Sequence, residues 1–237
     1  MPTSSEASYP QLLSLAVHEF RTPASVVGGY LRMLQRDTDA NLSDRHRKMI
    51  DEAEKSCGRL VALIAELSDI GKLDSGAITL GHQPIDFFGL VAEVAEHMHE
   101  AEDRGVHLVA KGEGDAAMLP GDAVRLRSAV DAVFRAILRE KAGPCDVIAD
   151  RRRDVRDGRS CAVVVVSDAD SVATAYGRAQ RRFDETRGGL GLALPLARRV
   201  IEAHGGQLLA PAPVGSSTVA DDPIARGSAV IVVPLTE

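Results

Sequence analysis

The stretch SLAVHEFRTPASVVGGYLRML, residues 14–34, predicts an amphipathic helix that carries a histidine and a proline. His18 is two residues from both Ala16 and Phe20, so at ~100° per residue it points away from the apolar face. Pro23 lacks a backbone N–H donor, and we expect it to bend the helix beside His18. The apolar face is predicted from steps of three and four residues: Leu13, Ala16, Phe20, Ala24, Val27, Leu31 and Leu34.

A second helix is predicted after the polar break RDTDANLSD, residues 36–44, with Ser43 as its N-cap. Two such helices bury too little apolar surface alone, so we expect residues 1–75 to pair with a second copy as a four-helix bundle. Gly71 and Gly76 mark the end of this hairpin. Its second helix has the strict 3–4 spacing of a coiled-coil seam: Ile50, Ala53, Cys57, Leu60, Ile64 and Leu67.

The remaining residues, 76–237, alternate between predicted strands and helices, which favours a two-layer α/β sandwich. Helices are predicted from Asp86 to about Arg104, from about Asp122 to Lys141, and from about Leu190 to His204. Residues 211–223 are predicted to be a polar loop. Strands are predicted at AITLG (77–81), VHLVA (106–110), GQLLA (206–210) and AVIVVP (229–234), with a hairpin of CDVIAD (145–150) and CAVVVVSD (161–168) around the tip RRRDVRDGR (151–159).

Composition excludes several classes of protein. The net charge of −6 argues against general nucleic-acid binding. The three cysteines have no metal-ligand spacing and an odd count, which suits reduced thiols in the cytosol. No apolar run approaches the ~20 residues that span a bilayer, and the N-terminus does not resemble a signal peptide. We therefore expect a cytoplasmic protein without a metal site, a membrane span or a nucleic-acid partner.

His18 has neighbours that suit a nucleophile. Glu19 adjoins it, and Thr22, four residues on, shares its face of the helix. A carboxylate that accepts one ring N–H leaves the other imidazole nitrogen neutral and free to attack. A lone His-Glu pair is more often an ordinary exposed pair, so the surrounding sequence has to decide between the two.

HEFRTP, residues 18–23, followed by the helical seam, closely resembles the phosphoacceptor box of bacterial two-component histidine kinases. The resemblance implies an α+β fold: the dimerising hairpin, then a two-layer sandwich of the histidine-kinase ATPase type. It implies that His18 carries a phosphoryl group, Glu19 is its acid/base partner, and Thr22 positions a hydrolytic water. It also implies a homodimer and response-regulator receiver domains as partners. Three further segments match in the same order: LSDIGKLDSGAITLGHQPIDF (67–87), GDAVRLRSAVDAV (121–133) and RRFDETRGGLGLALPLARRVIEAHGG (181–206).

The ATP site departs from the family. Ala132 and Ala136 stand where the family has asparagines, one of which ligates Mg²⁺, and a methyl group cannot ligate a hard cation. In DADSV, residues 168–172, Asp168 remains as the expected adenine ligand, but Asp170 and Val172 replace two glycines.

The turn after the nucleotide lid is only partly retained. Arg187 replaces the first expected glycine, while Gly189 and Gly191 remain. These two glycines suit either an anion-binding helix start or simply a tight turn. ATP and Mg²⁺ are therefore expected as cofactors only if this degenerate site still binds them.

Together these features predict a histidine phosphotransferase, with possible phosphatase activity, in which His18 exchanges phosphoryl groups with response-regulator aspartates. One alternative is an ATP-dependent sensor kinase with an atypical nucleotide site. Another is a non-catalytic partner that forms heterodimers or sequesters a regulator. Three other residues carry smaller predictions: His97 and His99 are surface residues and His204 is structural. Pro195 is predicted to kink its helix.

Overall fold

The computed structural model describes residues 9–37, 42–215 and 217–236, with side chains from residue 13 onward. The chain divides into two compact units with a boundary after Ile78. The sequence analysis predicted this boundary after residue 75. Each unit is described by itself below.

The first unit contains the predicted helical hairpin. Helix α1 runs from Tyr9 to Arg36 and passes through Pro23 as one helix, while α2 runs from Asp44 to Asp74. Ser43 caps α2 as expected, because its Oγ accepts a hydrogen bond from the His46 backbone N–H at 3.4 Å. The bend at Pro23 stays a prediction, and part of the polar break, residues 38–41, lies outside the described residues.

The two helices bury only part of their predicted apolar stripes against each other. Cys57 donates its thiol to the Ala24 carbonyl at 3.1 Å. Gly28 permits this approach, since a Cβ there would lie 3.2 Å from the Cys57 sulfur. Several stripe residues stay exposed in the single chain, at 60% for Phe20, 52% for Val27, 45% for Leu34 and 56% for Leu60.

The second unit is an α/β sandwich built on a six-stranded mixed sheet. Its strands are β2 (Val106–Gly112), β4 (Cys145–Arg156), β5 (Arg159–Asp168), β8 (Ala229–Pro234), β7 (Gln207–Pro211) and β6 (Gln180–Arg182), in that spatial order. Only β2 and β4 pair in parallel. A two-stranded sheet joins β1 (Gln83–Asp86) to β3 (Met118–Gly121), and the helices are α3 (Phe87–Glu96), α4 (Ala123–Arg139), α5 (Val172–Gly177), α6 (Ala193–Ala203) and α7 (Pro223–Gly227).

The core explains the valine-rich sequence of β5. Every residue from Cys161 to Ser167 is buried, which is the pattern of a strand covered on both faces. On one face, Val163 and Val165 pack with Ala175 of α5 and with Val230 of β8. Helices α3, α4 and α6 form the long helical layer, and α4 contributes Phe134 and Ile137 to the fully buried core.

Three boundary predictions were wrong. AITLG, residues 77–81, forms no strand; the strand is β1, six residues further on, because β3 supplies its hydrogen-bonding partner there. The helix after Asp86 ends at Glu96, followed by residues with positive φ at Ala101 (68°) and Gly105 (71°). Most of the predicted tip 151–159 belongs to strands, since the turn is only Asp157 and Gly158 with φ of 51° and 75°, the left-handed pair that Asp-Gly hairpin turns favour.

The kink predicted at Pro195 was also wrong. Helix α6 begins at Ala193, three residues later than predicted, and its first helical hydrogen bond is donated by Leu196 to the Leu192 carbonyl. Pro195 therefore sits in the first turn, where a backbone N–H would have no helical acceptor. The sequence also missed α5, β3, β6 and α7, all of which are short.

Asp222 fixes the end of the loop that leads to β8. Its carboxylate accepts hydrogen bonds from the backbone N–H groups of Ala225 and Ile224 at 3.0 Å and of Val214 at 3.1 Å. It also pairs with Arg178 at 2.8 Å and is 7% exposed. The hydrogen bond from Ala225, with those from Val214 and Arg178, lowers the pKa of Asp222 below its ordinary value near 3.8.

We expect Asp222→Ala to destabilise the sandwich by about 2 kcal/mol at pH 7, because it leaves buried N–H donors unpaired. Since folding lowers this pKa, the stabilisation is present above pH ~4 and is lost as the pH falls through the folded value. Urea denaturation followed by circular dichroism between pH 7 and pH 3 checks this. Asp221→Asn, at an exposed neighbour, is the control; equal midpoints for the two variants at pH 7 would contradict the prediction.

Candidate functional site

His18 lies on α1 with its side chain 77% exposed. Its Nδ1 is 3.2 Å from Oε1 of Glu19, the distance of a hydrogen bond between the ring and the adjacent carboxylate. With Nδ1 as the donor, Nε2 keeps its lone pair for attack on an electrophile. Thr22, one turn further along α1, is exposed as well. The three side chains thus form an accessible polar group that a large partner can reach.

The two alanines at the family's asparagine positions lie inside the helical layer. Ala132 is 6% exposed and Ala136 is fully buried, both on α4. Gly188, with φ of 75°, lies against Ala136: a Cβ at Gly188 would be only 3.0 Å from the Ala136 Cα. The turn 187–189 therefore packs directly on this part of α4. Neither methyl group supplies an oxygen ligand, so these residues do not fit a Mg²⁺ ion.

Asp168 forms an ion pair with Lys141. The Lys141 ammonium is 2.8 Å from Oδ1 of Asp168 and donates a hydrogen bond to the Gly227 carbonyl at 2.9 Å. Lys141 is 7% exposed, whereas the Asp168 side chain is 39% exposed. Gly227 permits the approach, since a Cβ there would lie 2.8 Å from the ammonium nitrogen. Nearby, burial and then the charge of Asp168 raise the pKa of the Cys145 thiol.

Arg187 joins the turn 187–189 by hydrogen bonds to the residues that precede β8. Its guanidinium donates to the carbonyls of Arg226 at 2.6 Å and Ser228 at 3.0 Å. It also stacks on the Phe183 ring, 4.0 Å from the centroid. Burial lowers the pKa of Arg187 to about 10. A residue that replaces a lid glycine thus fastens the segment down.

The two glycines retained in the lid turn have backbone reasons to be there. Gly189 and Gly191 have φ of 62° and 61°, a left-handed conformation that disfavours other residues. The carbonyl of Gly189 also accepts a hydrogen bond from Arg139 of α4 at 3.5 Å. These observations favour the tight-turn interpretation of the two glycines over an anion site.

His204, His97 and His99 lie where the sequence analysis expected them, the first in a structural contact and the other two on the surface. His204 accepts a hydrogen bond on Nε2 from the Asp122 backbone N–H at 3.0 Å, and its Nδ1 is 2.7 Å from the Val200 carbonyl. It therefore joins the end of α6 to the N-cap of α4. His97 and His99 are exposed, and the described part of the chain contains no cluster of metal-ligating side chains.

Sequence reasoning missed Lys141 and misjudged the contribution of Arg187. Lys141 entered only as the end of a predicted helix, and Arg187 only as a lost glycine. The one local signal that could have drawn attention to Lys141 is its position five residues after Ala136, close in sequence to the altered ligand positions.

We expect Asp168→Asn to destabilise the sandwich by about 2 kcal/mol or more, because it leaves a buried ammonium without its anion. Lys141→Met should cost less, since it removes the buried charge and leaves a partly exposed carboxylate to water. Urea denaturation followed by circular dichroism measures both changes, with the exposed Asp170→Asn as control. The same midpoint for Asp168→Asn and Asp170→Asn would show that the ion pair contributes nothing.

The hairpin matches a known domain family. Residues 11–76 match the model of the His Kinase A (phospho-acceptor) domain. The chain is 28% identical over 193 residues to the sensor protein DivL of Caulobacter vibrioides, which covers 80% of this chain and 24% of DivL. It is 24% identical over 209 residues to the signal transduction histidine-protein kinase BarA of Escherichia coli, covering 84% of this chain and 22% of BarA. The chain thus spans about a quarter of the length of these relatives.

Solved structures share the fold of the whole chain. Full-length ShkA, crystallised in complex with AMPPNP, superposes with a TM-score of 0.68 at 23% identity over 96% of this chain and 46% of ShkA. The histidine kinase AdeS of Acinetobacter baumannii gives a TM-score of 0.53 at 14% identity over 93% of this chain and 98% of that one. No helix in the described ranges is long and apolar enough to cross a membrane. The hairpin therefore matches a phosphoacceptor domain, and the chain has the fold of a two-component histidine kinase core, a helical hairpin followed by an α/β sandwich.

Proposed function

We propose that this chain is a phosphorelay protein in which His18 takes phosphoryl groups from the aspartate of one response-regulator receiver domain and passes them to another. One contrast supports the proposal. The exposed His18, Glu19 and Thr22 are intact, whereas the nucleotide-site positions carry the buried alanines 132 and 136. The side chains needed for phosphoryl transfer to a histidine are therefore all present on the hairpin, whereas those needed to bind Mg²⁺ with a nucleotide are not all present.

The transfer uses the two ring nitrogens of His18 differently. Nε2 attacks the phosphorus of an aspartyl phosphate, the P–O bond to the aspartate breaks, and the free carboxylate leaves. Glu19 accepts the Nδ1–H at 3.2 Å, which orients the ring and stabilises the positive charge that develops on it. The reverse reaction passes the group to a second aspartate. Thr22 holds a water for hydrolysis of the aspartyl phosphate, the phosphatase reaction.

Phosphorylation from ATP requires groups that this chain has lost. Phosphoryl transfer from a nucleotide depends on Mg²⁺ bridging the phosphates and neutralising their charge. Alanines 132 and 136 supply no oxygen ligand, and Lys141 already occupies the carboxylate of Asp168. We therefore assign no step to ATP and Mg²⁺.

We propose that the hairpin works as a homodimer. Phe20, Val27 and Leu34 recur every seven residues along α1 and are each 45–60% exposed in the single chain. A heptad spacing is the pattern by which helices pair with neighbours in a coiled coil or bundle. On α2, Leu60 is similarly exposed at 56%. A second hairpin would cover this apolar surface and complete a four-helix bundle.

Two alternatives make different predictions. An ATP-dependent kinase, favoured by the retained Asp168, Gly189 and Gly191, requires label on His18 from MgATP alone. A non-catalytic partner or sequestering module requires that His18→Gln keeps function in cells. The experiment below separates the first from the phosphotransferase, and complementation with His18→Gln separates the second.

We expect the purified protein to acquire an acid-labile label from a phosphorylated receiver domain but none from radiolabelled MgATP. His18→Gln should reduce the label to background, because glutamine has no nucleophilic ring nitrogen. His97→Gln, at another exposed histidine, should leave it unchanged. Label retained by His18→Gln would disprove the proposal, and label from MgATP on the wild type alone would identify a kinase.

We expect Val27→Glu to convert the dimer to a monomer by weakening association about 100-fold or more, since the bundle would have to bury a carboxylate. Light scattering after size-exclusion chromatography measures this. Val155→Glu, on the sandwich at a valine that is 70% exposed, should stay dimeric. A dimer that survives Val27→Glu would place the interface elsewhere.

A further inference from the structure

Two arginines near the lid have buried N–H donors without an acceptor. They are Nε and Nη2 of Arg181 and Nε of Arg187, none of which has a hydrogen-bond partner among residues 42–215 and 217–236. Buried polar atoms in native proteins are nearly always paired, and unpaired cationic donors are the most costly to bury. These three N–H groups therefore have no acceptor within the described chain and are available to a ligand.

The free donors of Arg181 have the geometry of an oxyanion fork. Nε and Nη2 are adjacent on one edge of the planar guanidinium, the edge that pairs side-on with two oxygens of a carboxylate or phosphate. The third nitrogen, Nη1, donates to the Arg182 carbonyl at 3.3 Å. Arg181 is on β6, the edge strand of the sheet, and is half-buried.

Arg187 lies next to this fork. It stacks on Phe183, which is two residues from Arg181 and therefore on the same side of an extended chain. The positive charges of Arg181 and Arg226 act on Arg187 in the same sense as its burial, because each disfavours its protonated form and lowers its pKa. The carboxylates of Glu140 and Asp184 act on Arg187 in the opposite sense and raise its pKa.

One oxygen of each neighbouring carboxylate already accepts from other donors. Oδ1 of Asp184 accepts from the backbone N–H of Thr186 at 3.0 Å and from its hydroxyl at 2.7 Å. Oε2 of Glu140 accepts from Nε of Arg226 at 2.7 Å. Among the groups that act on Arg187, the cations of Arg181 and Arg226 face the carboxylates of Asp184 and Glu140, so with Arg187 itself the cations outnumber the anions.

We propose that Arg181 and Arg187 bind a small free oxyanion of the phosphate class. Its oxygens accept from Nε and Nη2 of Arg181 and from Nε of Arg187. The site requires no Mg²⁺ and no nucleotide base, and it is independent of His18. A bound anion would tie the lid segment to the edge strand β6 by neutralising the arginines on both sides.

The test is thermal denaturation of the full chain in increasing sodium phosphate, with sodium chloride at matched ionic strength as reference. At about five times the dissociation constant, phosphate should raise the midpoint by about 2–4 °C over chloride. Arg181→Gln should abolish this increase, whereas Arg182→Gln, next to it with a side chain 67% exposed, should retain it. Equal protection of wild type and Arg181→Gln, or no protection beyond chloride, would overturn the proposal.

A second measurement covers the case in which Arg181→Gln folds poorly. Arg181→Lys keeps the charge but loses the two-pronged edge, so it should bind phosphate at least about tenfold more weakly in a phosphorus NMR titration. Undiminished binding by Arg181→Lys would overturn the proposed fork. ADP that protects more strongly than phosphate, through the same arginine, would overturn the assignment to a free oxyanion.

Discussion

The ion pair between Lys141 and Asp168 is the interaction that allows the sandwich to bury a charged side chain. A 7%-exposed ammonium is acceptable there only because a carboxylate lies at 2.8 Å and a carbonyl at 2.9 Å. Any ligand that recruits Asp168 must compete with this contact and leave the cation unpaired. The sandwich therefore contains a buried ion pair, whereas His18, Glu19 and Thr22 are exposed on the hairpin.

Local periodicity predicted the parts of the fold that are local. Helices of 28 and 31 residues, the cap at Ser43 and the buried valine run of β5 are each encoded within a short window of sequence. The errors fall where a partner far along the chain decides the structure. Residues 77–81 resemble a strand as closely as residues 83–86 do, yet only the latter pair with β3, more than thirty positions away.

The candidate site divides in the same way. His18 and Glu19 are neighbours in sequence, so their contact could be predicted without the fold. The replacement of asparagines by alanines at 132 and 136 was visible through family resemblance. The contacts of Lys141 and Arg187 could not be predicted, because Lys141 reaches a carbonyl 86 residues away and Arg187 reaches one 39 residues away.

The packing of Gly188 on α4 joins the turn 187–189 to the helix that carries Ala132 and Ala136. A Cβ on Gly188 would lie only 3.0 Å from the Ala136 Cα, so the turn and the helix would have to separate to accept a side chain at position 188. The turn in turn is held by Arg187, and Asp168 by Lys141. A substitution that breaks one of these three contacts leaves the other two in place. Three separate contacts thus hold this region, and rearranging it requires several simultaneous substitutions.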